Sequence, residues 1–164
     1  MTLIDANKKT TKSSGTYLGE GDKYIVESDD LKTYNDGQTQ WVLNPSDKEI
    51  HISSVSKTQK KKADHPIEII KSYNKLFKYR VKEPKRNNQV LLELIPKNKY
   101  NKYFKVDVAV NTVSLKVKYV KLYDRGGNRI RFQFTSMSYN TPLAVSKFSL
   151  NTKAYPSYEV LDLR

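Results

Sequence analysis

The chain has 164 residues, 37% of them hydrophobic, which is enough to bury the core of a single domain over 1–164 and is untypical of a disordered chain. Cysteine is absent, which excludes disulfides and thiolate metal sites, and no apolar run reaches the roughly 20 residues that cross a bilayer. The formal net charge of +13 attracts polyanions such as nucleic acid, anionic lipid headgroups or acidic proteins.

Strands joined by tight turns are predicted for the first part of the chain. Residues 2–5 and 15–28 have strand character, and the second of these segments is interrupted around Gly21. Asp36-Gly37 indicates a hairpin turn, because glycine accepts the positive φ that such turns require.

The segment after this turn predicts a further hairpin. Trp41 and Leu43 share one face of a strand, since side chains in a strand alternate with a period of two. Pro45 lies in the next reversal, and Ile50 and Ile52 return on one face of the following strand.

A helix is predicted after a polar, lysine-rich connection over 53–64. Asp64-His65-Pro66 offers a capping residue followed by a proline in the first turn. Apolar side chains then recur at helical spacing and form one stripe, with lysines opposite. The residues of this stripe are Ile69, Ile70, Tyr73, Leu76 and Phe77.

The remaining chain is predicted to form an antiparallel meander that is apolar on one face. Residues 90–95 are an apolar run, and alternating strands follow it. They are joined by a two-residue link at 111–112 and by a turn at 124–128. Two further strands are predicted at 145–150 and 158–163.

A sheet with one apolar face must bury that face against a second layer. The predicted helix has about fifteen residues and a length of roughly 22 Å, which cannot cover seven or more strands. Strong curvature must close the rest, or a hydrophobic cavity remains that a ligand could fill. We expect a mainly β fold with a small α component, in which a curved antiparallel sheet forms an unclosed β-barrel with a helical lid. A packed β-sandwich without a cavity is the alternative.

Catalytic and metal-binding chemistry is not predicted. His51 and His65 flank the long polar connection, and neither is expected to bind a metal. The sequence has no nucleophile elbow, no P-loop and no dinucleotide-binding glycine pattern. We therefore expect a protein that is not an enzyme and has no cofactor.

Four segments form an ordered set of motifs. Residues 36–45 read DGQTQWVLNP, residues 124–132 read DRGGNRIRF, and Phe148 is followed by YEVLD at 158–162. This order resembles the periplasmic outer-membrane lipoprotein carrier proteins of the LolA type, and residues 92–96 fit the strand before that family's middle hairpin. The resemblance runs from about residue 15 to the C-terminus.

The resemblance implies a function as well as a fold. Proteins of this type hold the acyl chains of lipoproteins in a hydrophobic cavity beneath a helical lid, without enzymatic chemistry. The resemblance places the chain in the periplasm, with its signal peptide outside this sequence, between an inner-membrane release complex and an outer-membrane acceptor. Transient contact with a membrane surface is also expected. Burying acyl chains gains about 0.8 kcal/mol per CH₂, so an apolar cavity can extract a lipid.

Apolar residues on the expected inner face are the candidate ligand-binding residues, and each is an ordinary core residue if no cavity exists. The cavity set is Trp41, Leu43, Ile50, Ile52, Leu92, Leu94, Phe104, Val106, Val108, Leu115, Val117, Tyr119, Ile130, Phe132 and Phe134. The lid set is the apolar stripe of the predicted helix, namely Ile69, Ile70, Tyr73, Leu76 and Phe77.

Two departures from the family pattern leave other functions open. Ile25 stands near the position of a family arginine that contacts the lid, and the family's N-terminal helix and first strand are not evident in the sequence. A module of the same fold that binds a polypeptide or senses the state of the envelope is one alternative. A basic nucleic-acid-binding β domain is another, since twelve tyrosines and a cationic surface would supply stacking platforms, although no nucleic acid partner is favoured.

Overall fold

The structure, a computed structural model, describes residues 1–55, 66–85 and 88–164. These residues contain thirteen β-strands and one α-helix. The elements are β1 (Thr2–Ile4), β2 (Thr10–Lys12), β3 (Gly15–Glu20), β4 (Lys23–Ser28), β5 (Lys32–Asn35), β6 (Thr39–Asn44), β7 (Glu49–Ser54), α1 (Pro66–Leu76), β8 (Phe77–Lys85), β9 (Gln89–Pro96), β10 (Tyr103–Asn111), β11 (Val117–Asp124), β12 (Arg129–Gln133) and β13 (Glu159–Asp162). The predicted mainly β class with a small α component is confirmed.

The chain divides into two compact units, each with its own sheet. Unit 1 comprises Met1–Lys12 and Ala63–Tyr139, and unit 2 comprises Ser13–Lys62 and Asn140–Arg164. Neither sheet closes on itself among the described strands, as an unclosed barrel requires. The single domain predicted for 1–164 stays a prediction.

The sheet of unit 1 is antiparallel throughout, with the order β2-β1-β12-β11-β10-β9-β8. One of its sides gathers the alternating apolar residues and packs against α1. The buried residues of this core are Ile69, Phe77, Leu94, Tyr103, Val106, Val108, Val120 and Leu122. We call this side the apolar face, and the opposite side, which carries Lys78, Arg80, Lys121 and Arg131, the cationic face.

The helix α1 packs directly on the apolar face. It begins at Pro66 and runs for eleven residues, so the predicted helix is confirmed. Ile69 is fully buried between the helix and the sheet. The expected capping residues Asp64 and His65 lie outside the described residues.

Lys97, in the loop after β9, closes the C-terminal end of α1. Its backbone N–H donates to the carbonyl of Leu76 at 2.9 Å. Its ammonium group donates to the carbonyls of Asn74 and Lys75 at 3.1 and 2.9 Å. The last carbonyls of a helix have no partner within the helix, and a cation there also opposes the negative end of the helix dipole. Lys97 therefore anchors this end of the helix.

The sheet of unit 2 has the order β13-β7-β6-β5-β4-β3. Its hairpins confirm the turns predicted from the sequence. At Asp36-Gly37, the Asp36 carboxylate accepts hydrogen bonds from the backbone N–H groups of Gln38 and Thr39 at 2.8 and 2.7 Å, and Gly37 has a φ of 93°. The last strand differs from the predicted antiparallel pattern, because β13 pairs parallel to β7.

The C-terminal segment of unit 2 departs from the prediction. The predicted strand at 145–150 is wrong, because the segment forms a 3-10 helix, Val145–Phe148, followed by a second one, Thr152–Ala154. Side chains of the segment pack on the core of the sheet, and this tertiary packing overrides the local preference for a strand. The final strand predicted at 158–163 is confirmed as β13.

The connection between β10 and β11 is longer than predicted. The side chain of Asn111 accepts hydrogen bonds from the backbone N–H groups of Val113 and Ser114, both at 2.9 Å. Leu115 adopts a φ of 56°. The two-residue link is therefore wrong. A turn occupies residues 112–116 instead, and an asparagine that bonds its following backbone is a common turn former.

Candidate functional site

Most candidate residues from the second half of the chain meet on the apolar face. The members of the predicted cavity set found there are Leu92, Leu94, Val106, Val108, Val117, Ile130, Phe132 and Phe134. Four lid residues pack against the same core, namely Ile69, Ile70, Leu76 and Phe77. Phe77 is the first residue of β8, so the helical part of the predicted lid set ends at Leu76.

The first four members of the cavity set belong to unit 2. Leu43, Ile50 and Ile52 are buried there, with Trp41 packed against them. The remaining apolar partners of this core come from the C-terminal segment, and they are Leu150, Tyr155 and Tyr158. The protein's own side chains thus pack against these four residues, and a ligand-binding role for them stays a prediction.

Phe104 projects away from the apolar face. The register between β10 and β11 shifts between Tyr103 and Lys105, so the buried position falls to Tyr103. The ring of Phe104 instead lies 6.2 Å from the ring of Tyr123 on the cationic face. A bulge adds one residue to a strand, and this reverses the sides on which the following residues point.

A second register shift, between Ala109 and Val110, moves Tyr119 to the cationic face, where Arg131 lies 4.1 Å above its ring. Leu115 lies in the turn and is exposed. A binding role for these two residues stays a prediction, but they do not lie on the face that α1 covers.

Exposed apolar side chains remain on the apolar face beside the helix. Tyr79 and Val81 of β8 are 57% and 61% exposed, although their cross-strand partners are Leu94 and Leu92. Cross-strand partners share a face, so both side chains lie on the apolar face. The ring of Tyr73 on α1 meets that of Tyr79 edge-on, with 5.5 Å between centroids. We call Tyr73, Tyr79 and Val81 the edge strip.

Two residues of the edge strip were not predicted. Phe77, the first residue of β8, belongs to the predicted helical stripe, and the residues after it, including Tyr79 and Val81, have no role in the sequence analysis. The signal was present in the strict alternation of apolar and basic residues from Phe77 to Lys82. A period of two over six residues indicates a strand rather than a helix.

Ion pairs on the cationic face fix the edge strand β8 to its neighbour β9. Glu93 is 6% exposed, and its carboxylate contacts the guanidinium of Arg80 at 2.6 Å and the ammonium of Lys82 at 2.8 Å. The hydrogen bond from Lys82 lowers the pKa of Glu93, burial opposes this effect, and Arg80 adds to the lowering. Glu93 is therefore held in its charged form.

A second buried carboxylate lies next to Glu93 on the neighbouring strand. The hydroxyl of Tyr123 donates to Asp107 at 2.8 Å, and the ammonium of Lys105 lies 3.8 Å from the same carboxylate oxygen. Burial raises the pKa of Tyr123, and the hydrogen bond to Asp107 raises it further. The phenol therefore stays neutral and acts as a hydrogen-bond donor.

A surface depression of about 460 Å³ lies along β8 and β9. Its lining residues are Lys78, Tyr79, Arg80, Glu93 and Ile95. None of them belongs to the predicted cavity set, and Tyr79 is also part of the edge strip.

The histidines do not form part of a metal centre in the described part of the chain. The Nε2 atom of His51 lies 2.7 Å from the carboxylate of Glu49 on the same strand. No three histidine, aspartate or glutamate residues among those described come together in a way that would hold a metal ion. His65 lies outside the described residues. In the same part of the chain, no helix combines the length and apolar character that crossing a bilayer requires.

Sequence comparison decides the family. The profile of the family described as outer membrane lipoprotein carrier protein LolA matches residues 30–151, which is more than half of the chain. The chain belongs to the LolA family. No curated protein matches the chain.

Solved structures resemble the chain only at low sequence identity. A chain from the complex of the CwlD amidase from Clostridioides difficile with the GerS lipoprotein is 15% identical, with a TM-score of 0.47, over 84% of this chain and 82% of that chain. A LolA superfamily protein from Nitrosomonas europaea is 16% identical, with a TM-score of 0.38, over 77% of this chain and 62% of that chain. The assignment to the LolA family rests on the profile match.

The LolA-like motif at 124–128 forms the hairpin turn between β11 and β12. The Asp124 carboxylate accepts hydrogen bonds from the backbone and the side chain of Asn128 at 2.8 and 2.7 Å. Burial raises the pKa of Asp124, but these hydrogen bonds outweigh it and lower the pKa. Gly127 has a φ of 87°, which favours glycine. These motif residues therefore shape the sheet that carries the site.

Proposed function

We propose that this LolA family protein is a periplasmic carrier that binds the acyl chains of lipoproteins, or free lipids, on the apolar face of unit 1 beneath α1. The family match is the observation that carries this function. Under the proposal the protein catalyses no reaction. It takes its cargo from an inner-membrane release complex and delivers it to an outer-membrane acceptor.

The size of α1 supports this location. Eleven residues at 1.5 Å each give a helix of about 16 Å. The seven strands beneath it, separated by about 4.8 Å, span about 29 Å. The helix is too short to cover the sheet, and the edge strip remains exposed beside it. An acyl chain that covers these side chains would gain about 25 cal/mol for each Å² of apolar surface removed from water.

The contacts of α1 support its role as the lid. The lid residues Ile69 and Ile70 contact the same core that an acyl chain would enter, so cargo and lid compete for one surface. Tyr73 and Tyr79 meet at the exposed margin of this surface. We propose that cargo enters between these two rings, while Lys97 retains the C-terminal end of the helix.

Binding of a synthetic lipopeptide tests the proposal. The ligand is a diacylated peptide, the competitor is the same peptide without acyl chains, and the readout is displacement of an environment-sensitive apolar dye. Val81→Asp places a carboxylate on the edge strip without disturbing a buried side chain. We expect it to weaken lipopeptide affinity about tenfold, which corresponds to about 1.4 kcal/mol.

Val113→Asp is the matched control. Val113 is 74% exposed in the turn before β11, so it presents the same chemical change away from the edge strip. The affinity of the Val113→Asp variant for the lipopeptide is expected to equal that of the parent protein. Equal binding of the acylated and unacylated peptides would contradict the proposal, and so would equal losses in the two variants.

A further inference from the structure

The cationic face of unit 1 carries more positive charge than its carboxylates neutralise. Arg80 and Lys82 pair with Glu93, as described above. The register of the strands places six further basic residues on the same face, between its β8 edge and its β2 edge. They are Lys12, Lys78, Lys105, Lys121, Arg129 and Arg131. Asp107 lies on the same face and is the remaining carboxylate among the strand positions that the structure describes.

Like charges meet directly on neighbouring strands of this face. Lys121 on β11 and Arg131 on β12 are register partners, and Arg129 follows two positions away on the same side. Directly opposed like charges destabilise a sheet. An anionic partner would relieve this repulsion, so the arrangement favours binding of an anion over an unliganded surface.

Exposed apolar side chains lie among these cations. Phe104 is 43% exposed beside Tyr123, Ile95 is exposed on β9, and Ile4 is exposed on β1. Aromatic and aliphatic groups interspersed with basic residues are typical of surfaces that rest in the headgroup region of a bilayer. Each lysine or arginine near an anionic bilayer adds to the attraction.

The tyrosines of this face disfavour nucleic acid as the partner. Single-stranded nucleic acid binds where aromatic rings offer a free face for stacking. Arg131 lies 4.1 Å from the ring centre of Tyr119, and Lys105 and Lys121 lie 4.0 and 4.9 Å from that of Tyr123. Basic groups thus occupy the ring faces that bases would need.

We propose that the cationic face of unit 1 docks on the surface of bilayers that contain anionic phospholipids. The opposite, apolar face is left available, so this docking is independent of acyl binding and goes beyond the proposed carrier function. The interaction is electrostatic in origin and weakens as salt screens the charges.

Sedimentation with phospholipid vesicles tests this proposal. The full chain is mixed with neutral phosphatidylcholine vesicles, and separately with vesicles in which part of the lipid is phosphatidylglycerol. The variant Arg129→Glu/Arg131→Glu reverses two exposed charges and places a carboxylate opposite Lys121, so the sheet is expected to fold. Lys147→Glu/Lys153→Glu is the matched control, because it makes the same change of charge at two exposed lysines of unit 2.

The parent protein and the control are expected to bind the anionic vesicles and not the neutral ones. The Arg129/Arg131 variant is expected to bind at least tenfold more weakly. Binding is expected to disappear at about 1 M salt, where the Debye length is about 3 Å. The variant Val81→Asp is expected to keep full vesicle binding, which separates this proposal from the carrier function.

Three results would overturn the proposal. The first is no preference for anionic over neutral vesicles. The second is an equal loss in the two charge-reversal variants, which would make net charge rather than this face the cause. The third is displacement of the protein from vesicles by random-sequence DNA at matched phosphate concentration, which would make nucleic acid the preferred partner.

Discussion

The two sheets of this protein carry apolar faces that are covered in different ways. In unit 2 the cover is the C-terminal segment, whose Leu150, Tyr155 and Tyr158 pack on Leu43, Ile50 and Ile52. In unit 1 the cover is an eleven-residue helix, and Tyr79 and Val81 stay exposed beside it.

Under the proposed carrier function, this difference separates a structural core in unit 2 from a binding surface in unit 1. A segment that contributes its own aromatic residues to a core covers the apolar side chains of that core. A short amphipathic helix on a wide sheet leaves such surface open, and its contacts are of the same kind as those a hydrocarbon chain would make. We therefore expect substitutions in unit 2 to affect stability alone, and substitutions around α1 to affect binding as well.

The largest expected effect is on the free energy of unfolding, when one buried residue in each covering segment is truncated to alanine. Phe148 and Ile69 are both fully buried. Phe148→Ala is expected to lower the free energy of unfolding by about 3–5 kcal/mol, and Ile69→Ala by about 2–5 kcal/mol. Chemical denaturation measures both values. Only Ile69→Ala should also change lipopeptide affinity, measured under conditions in which both variants are folded. Equal changes of affinity would remove the distinction between the two covers.

A smaller effect is expected at Glu93, which joins β8 to β9 at the margin of the helix-covered sheet. Its pKa is lowered in the folded protein from the ordinary value of 4.5, so its ion pairs stabilise the fold above that pH and the contribution is lost as the pH falls through the lowered value. Glu93→Gln should cost about 1–3 kcal/mol at neutral pH. The difference from the parent protein should shrink on acidification.

Thermal melts between neutral and acidic pH measure this effect. Glu159→Gln is the control, because Glu159 is exposed on β13. A difference between the Glu93 variant and the parent protein that stays constant down to acidic pH would show that the ion pairs with Arg80 and Lys82 do not contribute.

The smallest effect is expected at the end of α1. Lys97→Met removes the ammonium that binds the carbonyls of Asn74 and Lys75, at a cost of about 1 kcal/mol. A lid held less firmly should exchange lipopeptide faster, which stopped-flow fluorescence measures. Lys99→Met changes the same residue type in the same loop and should leave the rate unchanged. A rate that is unaffected in both variants would show that this end of the helix does not control entry.

Local chemistry made much of the fold predictable. The turn at Asp36-Gly37 depends on a carboxylate and a glycine that are adjacent in sequence, and the spacing of Ile69, Tyr73 and Leu76 is that of one helix face. Such features need no knowledge of distant residues, because the groups that interact are within a few positions of one another.

Features that depend on distant strands were missed. The register shifts that place Phe104 and Tyr119 on the cationic face arise from pairing between β10 and β11, and period-two alternation alone does not contain them. β8 was not predicted, because its first residue, Phe77, also fits the helical spacing. The 3-10 helix at Val145–Phe148 depends on a sheet formed about a hundred residues earlier.

The junction between α1 and β8 has a consequence for any movement of the helix. Leu76 ends the helix and Phe77 begins the strand, so no loop residue lies between them to act as a hinge. Tilting the helix must therefore twist the start of an edge strand, whose outer backbone groups face no other strand in the described part of unit 1. Under the proposed carrier function, a helix moved by cargo would change the unpaired backbone that this edge presents to an extended polypeptide.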